Sequence, residues 1–246
     1  MIGNARSTGA ARRLAIRTKT RSALGRMGLA TTFALASMGG QAHAAAAATA
    51  KPSLRFESVF ADQGQPATLH FKAEFQSRGT LHHMDVWRDG ERQLKRSTDD
   101  RLETFVRRDE PGTPEFQMTV LDKPRKIITR IDRSNLYRIG NFTDWYDLAH
   151  GLKHPMGKYQ LVKAKAPAAA GKPVAACAWY DLTQDQHTTH VCWDGRNRVP
   201  LLIVDDKAET IWKITALDRK AIPAATFEIH DEGYIRNDAN QDMDRD

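Results

Sequence analysis

The sequence predicts a mainly β protein, built from antiparallel strands with one short covering helix. Three observations predict this. Beyond residue 52, apolar and polar residues alternate in runs of strand-favouring types. Turn chemistry at Asp89-Gly90, Asp109–Pro111, Asp194-Gly195 and Asp205-Asp206 separates several of these runs. The spacing, about ten residues per strand and turn, suits an antiparallel meander and not βαβ units.

In chain order, the alternating segments are Leu54–Phe60, Thr68–Gln76, Thr80–Arg88, Arg92–Arg96, Leu102–Arg108, Phe116–Leu121, Lys126–Ile131 and Asn135–Ile139. After these come Lys158–Val162, Val174–Leu182, His187–Trp193, Pro200–Val204, Thr210–Thr215 and Thr226–His230. The helix is read over Asn141–Gly151, with Thr143 as N-cap, acids in its first turn, Gly151 as its stop and Pro155 just beyond. Phe142, Trp145, Leu148 and Ala149 fall on one face of it, which should lie against the sheet.

The chain has 246 residues with 37 Lys and Arg against 30 Asp and Glu. Seven of the basic residues lie within positions 1–44, where there is no acid; the remaining 30 basic residues balance the 30 acidic ones. The body carries no net charge, so a nucleic-acid groove is not expected. The Arg-rich start precedes a 12-residue apolar block, Met27–Met38, and then Ala42-His43-Ala44. The block is too short to span a bilayer but matches a secretory leader with an A-x-A cleavage site. Residues 1–44 are therefore read as a cleaved signal peptide and 45–52 as a flexible N-terminus. Residues 53–236 then form a single β domain, and 237–246 an acidic tail. No cysteine lies near the cleavage site, so a periplasmic protein, soluble and neither lipid-anchored nor membrane-spanning, is expected.

Cys177 and Cys192 fit an oxidising compartment. If Thr183–Gln186 form a hairpin turn, Leu182 faces His187 and Cys177 faces Cys192, within reach of a cross-strand disulfide. The histidines offer a weaker pattern: a pocket combining His150 or His154 with His82 or His83 could hold copper, zinc or haem iron, although no metal-binding motif is present. No nucleophile elbow and no phosphate-cradling glycine loop occurs, so a non-catalytic protein without a cofactor is expected.

Thr80–Arg92, a strand–turn–strand with a charged turn, and the terminal run from Pro200 through Ile211–Thr215 to Phe227–Tyr234 carry a resemblance. In element order, the chain resembles the periplasmic lipoprotein-carrier (LolA/LolB-like) family. The resemblance implies a strongly curved, unclosed, half-barrel-like sheet whose apolar face is covered by helices. The family's opening amphipathic helix is absent or replaced here by the strand-like Leu54–Phe60, and the arginine that gates the carriers' lid has no match. Its implied role is to hold an apolar ligand, such as a lipid, acyl chain or lipoprotein segment, between sheet and helix. Aromatic residues that could line such a cavity are Phe71, Phe75, Trp87, Phe142, Trp145, Tyr146, Trp179 and Trp212. Two other roles compete with this one: a metal or haem handler using the histidines, and a structural partner of an envelope protein complex.

Overall fold

The alternation seen in the sequence becomes a single sheet. A computed structural model describes residues 52–138 and 143–240. Its strands are β1 Thr68–Ser77, β2 Thr80–Asp89, β3 Gln93–Thr98, β4 Leu102–Arg107, β5 Gln117–Asp122 and β6 Ile127–Asp132. They continue with β7 Gln160–Lys163, β8 Ala178–Gln184, β9 His187–Asp194, β10 Val199–Val204, β11 Thr210–Asp218 and β12 Ile235–Asp238. The sheet is twelve-stranded, in the order β12-β6-β5-β4-β3-β2-β1-β11-β10-β9-β8-β7. It is unclosed, and every pairing is antiparallel except that of β12 with β6. Two meanders, β1–β6 and β7–β11, meet along β1 and β11, where Phe75 lies opposite Trp212.

Tight turns set the register of both meanders. Arg78 and Gly79 join β1 to β2, and Asp185 and Gln186 join β8 to β9, all with positive φ. Two such residues in succession give the turn whose twist matches antiparallel strands. The second turn is tighter than the four-residue one read from the sequence. Gln184, not Leu182, therefore faces His187, and Trp179 is the residue opposite Cys192. The disulfide still forms, from Cys177 just before β8 to Cys192, with Cα atoms 5.4 Å apart. Pro200 is accommodated in β10 at a register irregularity between Pro200 and Leu202, where a missing N–H costs the ladder least.

Three segments expected as strands are not strands. Leu54–Phe60 holds α1 (Phe56–Val59). Phe56 and Phe60 are both buried, and Phe60 N–H donates to the Phe56 carbonyl at 2.8 Å, so their four-residue spacing is helical phase. Residues 133–138 form α2 (Arg133–Arg138), in which Arg133 reaches Tyr137 four residues on. Thr226–His230 forms part of a 3-10 turn, Ala224–Phe227, followed by unpaired chain. The expected covering helix is α3 (Trp145–His150), capped by Asp144 instead of Thr143. Strand β12 is absent from the sequence reading because all four of its residues are exposed and show no alternation.

The helices cover one face of the sheet. On that face Leu69, Phe71 and Ala73 of β1, Met84 and Val86 of β2, and Leu94 of β3 join Trp145, Leu148 and Ala149 of α3 in the main core. On the far face a smaller cluster of Phe105, Leu121 and Ile128 lies beneath Ile229 and Tyr234 of the returning C-terminal segment. No helix among the described residues is long and apolar enough to cross a membrane. The leader read at 1–44, the alanine-rich stretch up to residue 51 and the tail beyond 240 lie outside the described residues.

Candidate functional site

Helix α3 is too short to be stable alone, and its ends show what holds it. The Asp144 carboxylate accepts the N–H of Asp147 at 2.9 Å, and Gly151 ends the helix in the left-handed conformation with φ 71°. Two arginines rise from the sheet to the carbonyls of its last turn. Arg88 on β2 donates through Nη1 to Ala149 O and through Nη2 to Asn197 O, both at 3.1 Å. Arg96 on β3 donates through Nη2 to Asp147 O at 3.1 Å and to Leu148 O. Cations at a helix C-terminus oppose its dipole and stabilise it. Burial pulls both guanidinium groups down to about 10, opposed at Arg88 by Tyr146 and Asp62 and at Arg96 by Asp147; both remain charged at neutral pH.

Between this helix and the sheet lies a cavity of about 370 Å³, within the range of small-molecule sites. Its apolar walls are Phe75, Met84, Met118, Val120, Leu148 and Trp212, and Arg96, Thr98, Thr104, Asp147 and Lys153 add polar atoms. A second hollow of about 600 Å³ shares Phe75 and Thr98 with it and reaches the strand ends at His82, Arg101 and Leu102. The two form one groove along the helix-covered face. Trp212 is fixed in its wall by a hydrogen bond from Nε1 to Pro200 O at 2.9 Å.

Seven of the eight expected aromatic residues are described, and they divide among five locations. Phe75 and Trp212 line the cavity, while Phe71 and Trp145 are buried in the core beside it. Tyr146 points the other way: its hydroxyl donates to Phe60 O at 2.6 Å, and its ring lies against Phe56. Trp87 is on the far face, stacked on His70 with ring centroids 5.0 Å apart, because it alternates with Val86 and Arg88 on β2. Trp179 lies in β8, half-buried against the core. Phe142 lies outside the described residues.

His82 and His83 share Asp99 as a partner, whereas His150 and His154 pair with other residues. His82 bonds Asp99 at 2.6 Å and stacks on Phe75, whereas His83 uses its backbone N–H to reach the same carboxylate. His150 is fully buried, its Nδ1 against Arg198 O, and burial together with the charge of Arg88 pushes it down to about 3. It is therefore a neutral packing group at physiological pH. His154 lies 3.4 Å from Asp147 and 3.5 Å from Asp144, and the bond to Asp147 holds its pKa above the usual value. His154 with these two carboxylates is the one trio of potential metal ligands among the described residues.

Arg88 and Arg96 were missed by sequence reasoning. The available signal was phase: each occupies the inward position of a strand whose other inward residues are Met84 and Val86, or Leu94. No protein-family model and no characterised protein sequence matches the chain. Among solved structures, PNGF-II is similar at a TM-score of 0.39 and 10% identity, over 72% of this chain and 32% of that one. MucB is similar at 0.37 and 15%, over 71% and 62%, and MucB in complex with MucA(peri) at 0.36 and 15%, over 73% and 59%. The chain thus spans less than two thirds of each, and TM-scores this low leave the site to be read from its own geometry.

Proposed function

We propose that the protein is an exported, non-catalytic binding protein that holds an apolar chain, such as an acyl chain or the lipid part of a lipoprotein, in the groove between sheet and α3. The observation that carries this reading is the cavity itself. Phe75, Met84, Met118, Val120, Leu148 and Trp212 present apolar walls around an open space beside α3. Two of the walls are methionines, whose flexible side chains adapt to chains of different shape. Export is supported by the Cys177–Cys192 disulfide together with the leader-like first 44 residues.

Native mass spectrometry of protein purified gently from an exported fraction tests the reading. The expected result is an added mass that organic solvent extracts. Val120→Trp, which fills the cavity, should lose that mass while keeping the β-sheet circular dichroism signal. Bare protein that also takes up no added fatty acid would exclude an apolar cargo and direct attention to protein partners.

A further inference from the structure

The covering helix brings three side chains of metal-binding type to one point. Asp144 caps α3, Asp147 lies in its first turn, and His154 follows three residues after Gly151 ends it. His154 Nδ1 stands 3.5 Å from Asp144 Oδ2 and 3.4 Å from Asp147 Oδ1, and the three ligand atoms lie within 4.8 Å of one another. Other histidine–carboxylate pairs of the protein are closed: His82–Asp99 and His187–Asp206 at 2.6 Å, His190–Asp181 at 2.7 Å. His70 also stands off two carboxylates, at 3.2 and 3.4 Å, but through opposite ring nitrogens, so no single ion meets both. A zinc-type ion takes imidazole nitrogen at about 2.0–2.1 Å and carboxylate oxygen at about 2.0–2.2 Å, in tetrahedral array. Tetrahedral angles put such ligand atoms about 3.3–3.5 Å apart, which is the spacing His154 keeps from both carboxylates.

The fold holds each donor in place by its other atoms. Asp144 Oδ1 accepts the N–H of Asp147 at 2.9 Å, which leaves Oδ2 for another partner. The Asp147 side chain is only 9% exposed and accepts the backbone N–H of His154 at 3.2 Å. The His154 ring packs against Tyr146 and Phe56, with centroids 4.5 and 4.7 Å away, and its Nδ1 has no well-formed hydrogen bond. Among the described residues, His154 is the one ion-pair partner of either carboxylate; Arg96 and Arg108 act on them from farther off. Asp144 and His154 are about one-third exposed, so water reaches the trio.

We propose that Asp144 Oδ2, Asp147 Oδ1 and His154 Nδ1 bind one divalent transition-metal ion of the zinc type, with water as the fourth ligand. Two carboxylates and a neutral imidazole balance its charge. The nitrogen donor selects against calcium and magnesium, which take oxygen ligands. The ion ties the cap of α3 to the chain beyond its last turn, and so staples a helix of six residues over the cavity. This goes beyond the reading of the cavity and does not depend on what fills it.

The test is calorimetric titration of the chelator-treated, disulfide-intact protein with zinc chloride. One zinc ion should bind per chain and raise the unfolding temperature, because only the folded chain holds the three ligands together. Asp144→Asn with Asp147→Asn keeps the cap oxygen and the side-chain shapes but removes the charged ligands. That double variant, and His154→Gln separately, should each weaken zinc binding at least about tenfold. His187→Gln, which opens an exposed histidine–carboxylate pair elsewhere, should bind as the unaltered protein does. Absence of saturable zinc binding to the unaltered protein overturns the site. Binding that survives both ligand variants places the ion at a surface histidine and also overturns it. If a ligand variant fails to fold, ring-proton NMR of the unaltered protein decides: zinc should shift His154 and leave His187 in place, and the reverse overturns the assignment.

Discussion

Gly151→Ala should destabilise the protein by an amount that can be divided into two parts. Gly151 ends α3 with φ 71°, where an L side chain is strained by about 1–2 kcal/mol. A Cβ placed there would also lie 2.8 and 2.9 Å from the ring of Trp212. Trp212 cannot simply swing aside, because its Nε1 is held by Pro200 O. Forcing a methyl into such a packed contact costs about 1–3 kcal/mol more, for a total of about 2–5 kcal/mol. For a domain of this size that lowers Tm by roughly 5–15 °C. Gly157→Ala is the control: φ is 89° there, but nothing lies within 4 Å of the added atom, so only the conformational part should appear. Urea denaturation of the two variants, followed by circular dichroism, gives the contact contribution as their difference. Equal losses in both would show that Gly151 is required for its backbone alone and that the close approach to Trp212 has no energetic weight.

Two further outcomes follow from the same structure. Replacing both Cys177 and Cys192 by Ala removes a crosslink spanning 15 positions, and the chain-entropy account expects a loss of about 3 kcal/mol; an unchanged denaturant midpoint would count against it. His150 takes up its proton near pH 6.5 when unfolded but only near pH 3 when folded. Over that window acid favours unfolding, by up to about 1.4 kcal/mol per pH unit from this one group. His154 has the opposite sign, since its raised pKa stabilises fully below pH 6.5 and the benefit is lost as pH rises through the folded value. His150→Gln should flatten the acid limb of the stability profile, and a slope as steep as that of the unaltered protein would remove His150 from the account.

Period-two alternation made β1 and β2 legible, because one side of each is wetter than the other, whereas β10, buried along all of its length, was legible as an unbroken run of strand-favouring apolar residues. It misassigned Leu54–Phe60 and residues 135–138, where the buried positions Phe56 and Phe60 repeat at four and the helix is barely longer than a turn. It could not signal β12, whose four residues are all exposed and are held by backbone pairing to β6. For the candidate site, Phe75 and Trp212 were legible as large apolar residues on strands. Trp87 carried the same signal, but its one-residue offset turns it to the far face. Arg88 and Arg96 had the wrong chemistry for a core search, although their phase was inward. The carbonyls of α3, and at Arg88 that of Asn197 as well, are brought over them by tertiary packing and explain why a guanidinium belongs at those positions.

The seam between β1 and β11 bears on the order in which the molecule comes together. His70 on β1 meets Asp218 on β11 across 148 residues of chain, whereas β1 to β6 pair with their immediate successors. Local ladders close quickly, and a contact this distant must wait for the chain entropy of a long loop to be overcome. Trp212 belongs to β11, so the wall it forms opposite Phe75 does not exist while the seam is open. A half-folded chain therefore presents apolar strand faces but no groove, and a ligand of the kind proposed above would find its site only in the finished protein, where it would tie the two meanders together.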